Sequence, residues 1–451
     1  MKRRTTALLL AAALALTLCG ASVLAAEESP EVTEDQVSQD IVNPQEPQAA
    51  QPDGSQAAEA APTETEPSAE DPEEDAEAPQ KEPAPSPDAA GTLSFANLDS
   101  RVRANNLNYL ILEESIAGIE VIDYEKLRED LRDQLNMLAD YQLLLKLSGD
   151  SYAASSLKSN YDSLRETFED LKDGKLQQDS ADGVRQLRNA QNSIIMTLEG
   201  VYAQLVELDA TGATLDRSLA ALDRQIEELE LRYELGQVSA LTVQQAKEGR
   251  TSLVSSRQSL ATGMKSGRMN LEAMIGEELT GTLKLGALPT VTAKELDAMD
   301  LEADLTAAKE ASYDLYAARK TLDDAKETFE DAKDQYNDRD YQYAQAQHDW
   351  QAAQYTYENS LLNFELSFRT LYDQVKDYKQ VLDAAQTALA VEESNYQVDQ
   401  LKYEQGTISK NALLTAQDDV AAAQDTVDSA KRDLFVAYNN YRWAVDYGIL
   451  N

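Results

Sequence analysis

Reactive side chains are scarce in this chain, and their placement narrows the chemistry. The one histidine, His348, lies between Gln347 and Asp349 on a helical stretch and reads as a surface imidazole, with no second histidine to share a metal. The one cysteine, Cys19, sits in an apolar run near the start of the sequence. Lipoprotein processing wants a small residue just before the cysteine, and Leu18 stands there. Asp and Glu number 81 against 40 Lys and Arg, so carboxylates are everywhere and no pair stands out as acid and base. No nucleophile, phosphate loop or metal cluster is visible, so neither enzyme activity nor a cofactor is expected. What does recur is a spaced trio: Tyr233, Gly236 and Ser239, then Tyr403, Gly406 and Ser409. Its chemistry is that of a turn. Glycine takes the left-handed conformation that ends one helix, serine caps the next, and Val238 or Ile408 places an apolar side chain between them.

Long helices must carry these turns. Leu187, Ile194, Val201, Leu208, Leu215, Leu222 and Leu229 recur every seven residues before the first turn, interleaved with Leu198, Leu205, Leu219 and Ile226. Before the second turn the row runs Leu315, Leu322, Phe329, Tyr336, Tyr343, Trp350, Tyr357, Phe364, Leu371 and Tyr378, opposed by small residues such as Ala318, Ala325, Ala332, Ala346 and Ala353. A hydrophobic period of 3.5 sustained this far predicts left-handed coiled coil. After each turn a returning helix keeps the phase, as in Leu413, Val420, Val427, Leu434 and Tyr441. The expected fold is therefore all-α, with long antiparallel coiled-coil hairpins in two tandem repeats.

Eleven of the twelve prolines lie within residues 27–92, with nineteen acidic residues, one lysine (Lys81) and no aromatic residue. Such a segment cannot bury enough apolar surface to offset chain entropy and is expected to be a disordered, self-repelling linker. A spacer is the plain reading; binding to a cell wall or a basic partner is the other. Residues 1–26 read as a signal peptide: a basic Lys2-Arg3-Arg4, a short apolar run from Ala7, and small residues leading to Ala25 and Ala26. The expected domains are thus 1–26, 27–92, a first helical repeat at 93–280, a connector at 281–292 containing Pro289, and a second repeat at 293–451. The net charge of −41 argues against nucleic acid and anionic lipid surfaces as partners.

The two turns lie 170 residues apart, and Leu231 to Ser239 aligns with Leu401 to Ser409. Duplicated turns in long heptads, each followed by an Ala-containing helix closing near Ile275-Gly276 or Tyr447-Gly448, resemble the TolC-type outer membrane efflux proteins over residues 93–451. The resemblance implies a homotrimer with a helical tunnel in the cell envelope, an adaptor (membrane fusion) protein and an inner-membrane pump. It would make Gly236, Val238, Ser239, Gly406, Ile408 and Ser409 the adaptor-docking turns. Two features depart from the family. Thr242 and Ala412 stand where an Asp is frequent, and no barrel strands with period-two alternation are visible. Where strands are expected, residues 172–183 read as polar loop. Asn337 to Asp340 reads as a hairpin tip leading to a 64-residue helix ending at Glu404, or else as part of one unbroken helix. An extracellular coiled-coil scaffold without transport activity is the competing reading.

Overall fold

The computed structural model describes residues 88–450. The expected signal peptide, Cys19 and nearly all of the acidic linker lie outside that range. Among the described residues eleven helices and one two-residue strand pair are present. Helices α1 (Phe95–Asn105) and α2 (Leu107–Glu120) open the first repeat. A helical hairpin follows, α3 (Tyr124–Ser148) and α4 (Ser151–Lys172). Then come α5 (Lys175–Glu234) and the returning α6 (Ala240–Met274). The second repeat comprises α7 (Ala293–Asp297), α8 (Leu301–Ala311), α9 (Tyr313–Gln335), α10 (Tyr341–Glu404) and α11 (Lys410–Tyr447). Strands β1 (Thr92–Leu93) and β2 (Lys284–Leu285) pair in parallel where the connector returns past the start of the first repeat. No barrel strands occur among the described residues, and none of their helices is long and apolar enough to cross a membrane.

The heptad rows become packing surfaces. α5 packs on α6 and α10 on α11, and α5 also lies along α11, which joins the repeats. One core collects Phe364, Phe368, Leu371, Val375, Leu382, Val427, Leu434 and Tyr441 of the second repeat; the other gathers Leu98, Val102, Ile195, Leu198, Tyr202, Leu205, Leu271 and Ile275 of the first. Trp443 of α11 enters the first-repeat core and stitches the two together.

Two details correct the expectations. Residues 172–183 are not a polar loop: Gly174, at φ +80°, makes a tight turn and α5 starts at Lys175. The Lys-Asp-Gly signal marks a turn, and the polar residues after it form the solvent side of a helix. The first repeat also carries the α3–α4 hairpin, which has no counterpart in the second. There the chain turns at Asn337 to Asp340, where the Asn337 amide donates to the Asp340 carboxylate at 2.9 Å. The 64-residue α10 starts at once, and the unbroken-helix alternative is excluded. Phe329 stacks on Trp350 across this tip, with centroids 5.2 Å apart, so the aromatic heptad row is a helix–helix seam.

Candidate functional site

Both sequence-marked turns form the same structure. Gly236 has φ +74° and Gly406 φ +72°. The Gln237 amide donates to the Arg232 carbonyl at 2.8 Å, and the Thr407 amide to the Lys402 carbonyl at 2.9 Å. These bonds satisfy carbonyls that the ending helices would otherwise leave open. Ser239 Oγ accepts the Thr242 amide at 3.2 Å, and Ser409 Oγ accepts the Ala412 amide at 3.1 Å. Thr242 holds Ser239 further through a hydroxyl–hydroxyl contact of 3.0 Å, so an Asp at that place is not needed for the cap. A Cβ on either glycine would meet nothing within 4 Å, so the glycines are required by φ alone.

The structure brings the two turns to one end of the bundle. Just beyond the second turn, Asn411 Nδ2 donates to Glu228 of α5 at 2.8 Å, a few residues before the first turn. Val238 and Ile408 are half-buried beneath the turns, while Gly236, Ser239, Gly406 and Ser409 are exposed. Leu231, Tyr233, Leu235 and Leu241 at one tip, and Leu401 and Tyr403 at the other, expose apolar surface. Charges of both signs border them: Glu228 pairs with Arg232, Glu230 with Lys247 and Asp399 with Lys402, and Glu234 and Glu404 stand beside the turns. What this end of the bundle exposes is apolar surface bordered by ion pairs. No group of three His, Cys, Asp or Glu suited to a metal occurs among the described residues.

The site rests on a polar seam between repeats. Ion pairs Arg217–Asp425, Arg224–Asp418 and Arg432–Glu207 join α5 to α11. Glu199 accepts from Asn439 at 2.7 Å and from Trp443 Nε1 at 2.6 Å. Burial raises the Glu199 carboxyl above its ordinary value despite these two donors.

At the far end, two joints were not read from the sequence. Asn106 breaks α1 from α2, caps Tyr109 and donates to the Met274 carbonyl at 2.8 Å. Ser312 breaks α8 from α9 and caps Leu315 at 3.3 Å. Each joint receives the end of its returning helix: Gly276 (φ +70°) abuts Asn105, and Gly448 (φ +64°) abuts Ser312. The signal was present in the matched Gly276 and Gly448, which close the two aligned helices. Beside the first joint, Glu272 is buried and accepts the amides of Gly281 at 2.7 Å, Thr282 at 3.1 Å and Leu283 at 3.1 Å. Burial alone would raise its carboxyl; the Gly281 and Leu283 amides and Thr280 outweigh that and leave it below the ordinary value. The abundance of carboxylates in the sequence hid this one.

No family model matches the chain, and no curated protein is significantly similar to it. Solved structures are. The outer-membrane channel OprN matches with a TM-score of 0.51 at 15% identity, covering 78% of this chain and 90% of its own. A membrane protein from Pseudomonas aeruginosa gives 0.50 at 11% identity, covering 79% and 90%. The outer membrane protein VceC from Vibrio cholerae gives 0.46 at 14%, covering 78% and 96%, a superposition too loose to argue from. The likeness is one of fold: the chain has the helical architecture of TolC-type outer membrane channels.

Proposed function

We propose that this chain is the helical conduit of an envelope-spanning export system, assembled as a homotrimer, with the Gly236 and Gly406 turns docking an adaptor protein that serves an inner-membrane pump. The observation that carries the reading is the pair of identical turns, held at one end of the bundle with their apolar residues uncovered. The internal repeat supports the assembly. Glu228 and Val398 are 170 residues apart, as are Leu241 and Asn411, so the Glu228–Asn411 contact inside the chain corresponds to Val398 and Leu241. Val398 is 50% exposed and Leu241 63% exposed, two apolar faces that a neighbouring copy would cover. The exposed Leu231, Leu235, Leu241 and Leu401 of the tips suit an adaptor hairpin carrying apolar residues.

The test is a disulfide. With Cys at 241 and 398, mild oxidation of the purified protein is expected to give covalent dimers and trimers, which neither single substitution gives. Val238→Asp and Ile408→Asp are expected to abolish capture of an adaptor at unchanged helicity. A monomer that captures no adaptor would reject the conduit. It would favour the extracellular scaffold, a reading that the absence of barrel strands among the described residues supports.

A further inference from the structure

The α3–α4 hairpin adds a surface that the conduit reading leaves unused. Its inner face is ordinary: Leu131 and Leu135 of α3 and Ala154 of α4 are buried. The last three turns of α3 are different. Met137 (56% exposed), Tyr141 (59%), Leu143 (58%), Leu144 (61%) and Leu147 (78%) face outward, and Tyr152 just past the Gly149 turn is 87% exposed. Six large side chains more than half exposed form a patch of roughly several hundred Å², the size at which exposed apolar surface marks an interaction site.

The arrangement says what kind of partner fits. At about 100° per residue, positions 143, 147, 144, 137 and 141 sweep an arc of about 160°, on the side of α3 away from α4; the exposed Asp140 interrupts it one turn back from Leu144, so its unbroken part is Leu143, Leu144 and Leu147 nearest the tip. Near the tip Leu143, Leu147, Leu144 and Leu145 cover a little over half of the circumference of α3, and Gln142 and Lys146 hold the rest. A single protein face would cover only a stripe of so wide an arc, whereas a lipid surface covers the whole apolar side of such a helix. The segment 137–157 carries Asp140, Asp150 and Lys146, a net charge of −1 in a chain of −41. It is thus a nearly neutral apolar end on an acidic molecule. Tyr141 and Tyr152 have the amphipathic rings that settle at a lipid–water boundary, and Lys146 has a stem long enough to keep its ammonium in the headgroups. The base of the hairpin meets α5 at its Lys175 end, roughly 90 Å along that helix from the Gly236 turn.

We propose that the α3–α4 hairpin is a membrane-seating element whose tip, from Met137 to Tyr152, enters the headgroup–acyl zone of a zwitterionic lipid surface without spanning it. Anionic lipid is disfavoured by the charge of the rest of the chain. The proposal stands apart from docking at the turns and holds whether or not an adaptor binds there.

The experiment is flotation of the full chain with phosphatidylcholine vesicles. The wild-type chain is expected to float, and the double variant Leu143→Asp/Leu147→Asp to partition at least tenfold less. Both side chains point outward, so circular dichroism should be unchanged. Adding phosphatidylglycerol should weaken binding at low salt. Equal flotation of the variant would overturn the proposal, since the binding would then come from elsewhere in the chain. Absence of wild-type flotation would also overturn it; if the variant then lowered the oligomer mass, the patch would belong to a second copy.

Discussion

Between α5 and α6, four acidic residues spaced seven apart each meet a cation on the returning helix: Asp209 with Arg268, Asp216 with Arg257, Asp223 with Arg250, and Glu230 with Lys247. Between α10 and α11 no ion pair occurs among the described residues. That hairpin is held by Phe368, Leu371, Val375 and Leu382 against Val427, Leu434 and Tyr441, with the Phe368 and Tyr441 rings 5.4 Å apart. The turns are the same, so hairpin geometry does not require either solution. The charged ladder lies on the helix that also pairs with α11 through Arg217 and Arg224. Along this ladder helix α5 has two partners and its charges set register with both, a role charges perform well. Helix α10 meets α8 at the start of that stretch, through Lys309–Glu365 and Arg369–Glu302, and beyond it spends its residues on apolar burial against α11, where most of the stabilisation comes from.

Several measurements break or sharpen this contrast. Phe368→Ala removes a side chain with no exposure from the apolar hairpin, and chemical denaturation should show a loss of about 3–5 kcal/mol. Glu272→Ala strands three amides of the connector, and should cost at least about 1.5–3 kcal/mol. Because the folded Glu272 carboxyl lies below its unfolded value of about 4.3, its contribution is complete above that pH and is lost as pH falls through the folded value. Glu272→Gln should flatten that part of the acid profile. Gly236→Ala and Gly406→Ala place a Cβ in a left-handed residue with open space around it, so each should cost about 1–2 kcal/mol, and equally. Unequal costs would show that the turns differ in a way their geometry conceals. Arg268→Gln should cost less than about 1 kcal/mol. Raising salt should speed amide exchange across the α5–α6 hairpin more than across α10–α11.

Much of this was legible beforehand. The heptad rows gave both long helices, the glycines gave both turns, and Asn337 to Asp340 gave the second-repeat tip. These are local signals, fixed by residues within a turn or two of one another. The α3–α4 hairpin was missed because its break, Gly149-Asp150, lies in a segment with no partner in the other repeat against which to compare it. The joints at Asn106 and Ser312 were missed for another reason. A capping Asn or Ser is common, and what makes these two special is a glycine arriving from 170 and 136 residues away, as 276 − 106 and 448 − 312 give. The docking role of Gly236, Val238, Ser239, Gly406, Ile408 and Ser409 rests on resemblance; their geometry alone is a pair of well-made turns.

The seam between α5 and α11 also orders events in time. Arg224 and Asp418 are 194 residues apart, and Trp443 and Glu199 are 244 apart. Within the α5–α6 hairpin, by contrast, Asp223 meets Arg250 only 27 residues on. Closing the longer loops costs more chain entropy and rewards it only after the partner helices exist. The two hairpins should therefore zip first as separate units and the seam should click shut afterwards. In a stopped-flow refolding experiment, far-ultraviolet ellipticity would recover in an early phase. The emission of Trp443, whose indole meets Glu199 only across the seam, would change in a later one.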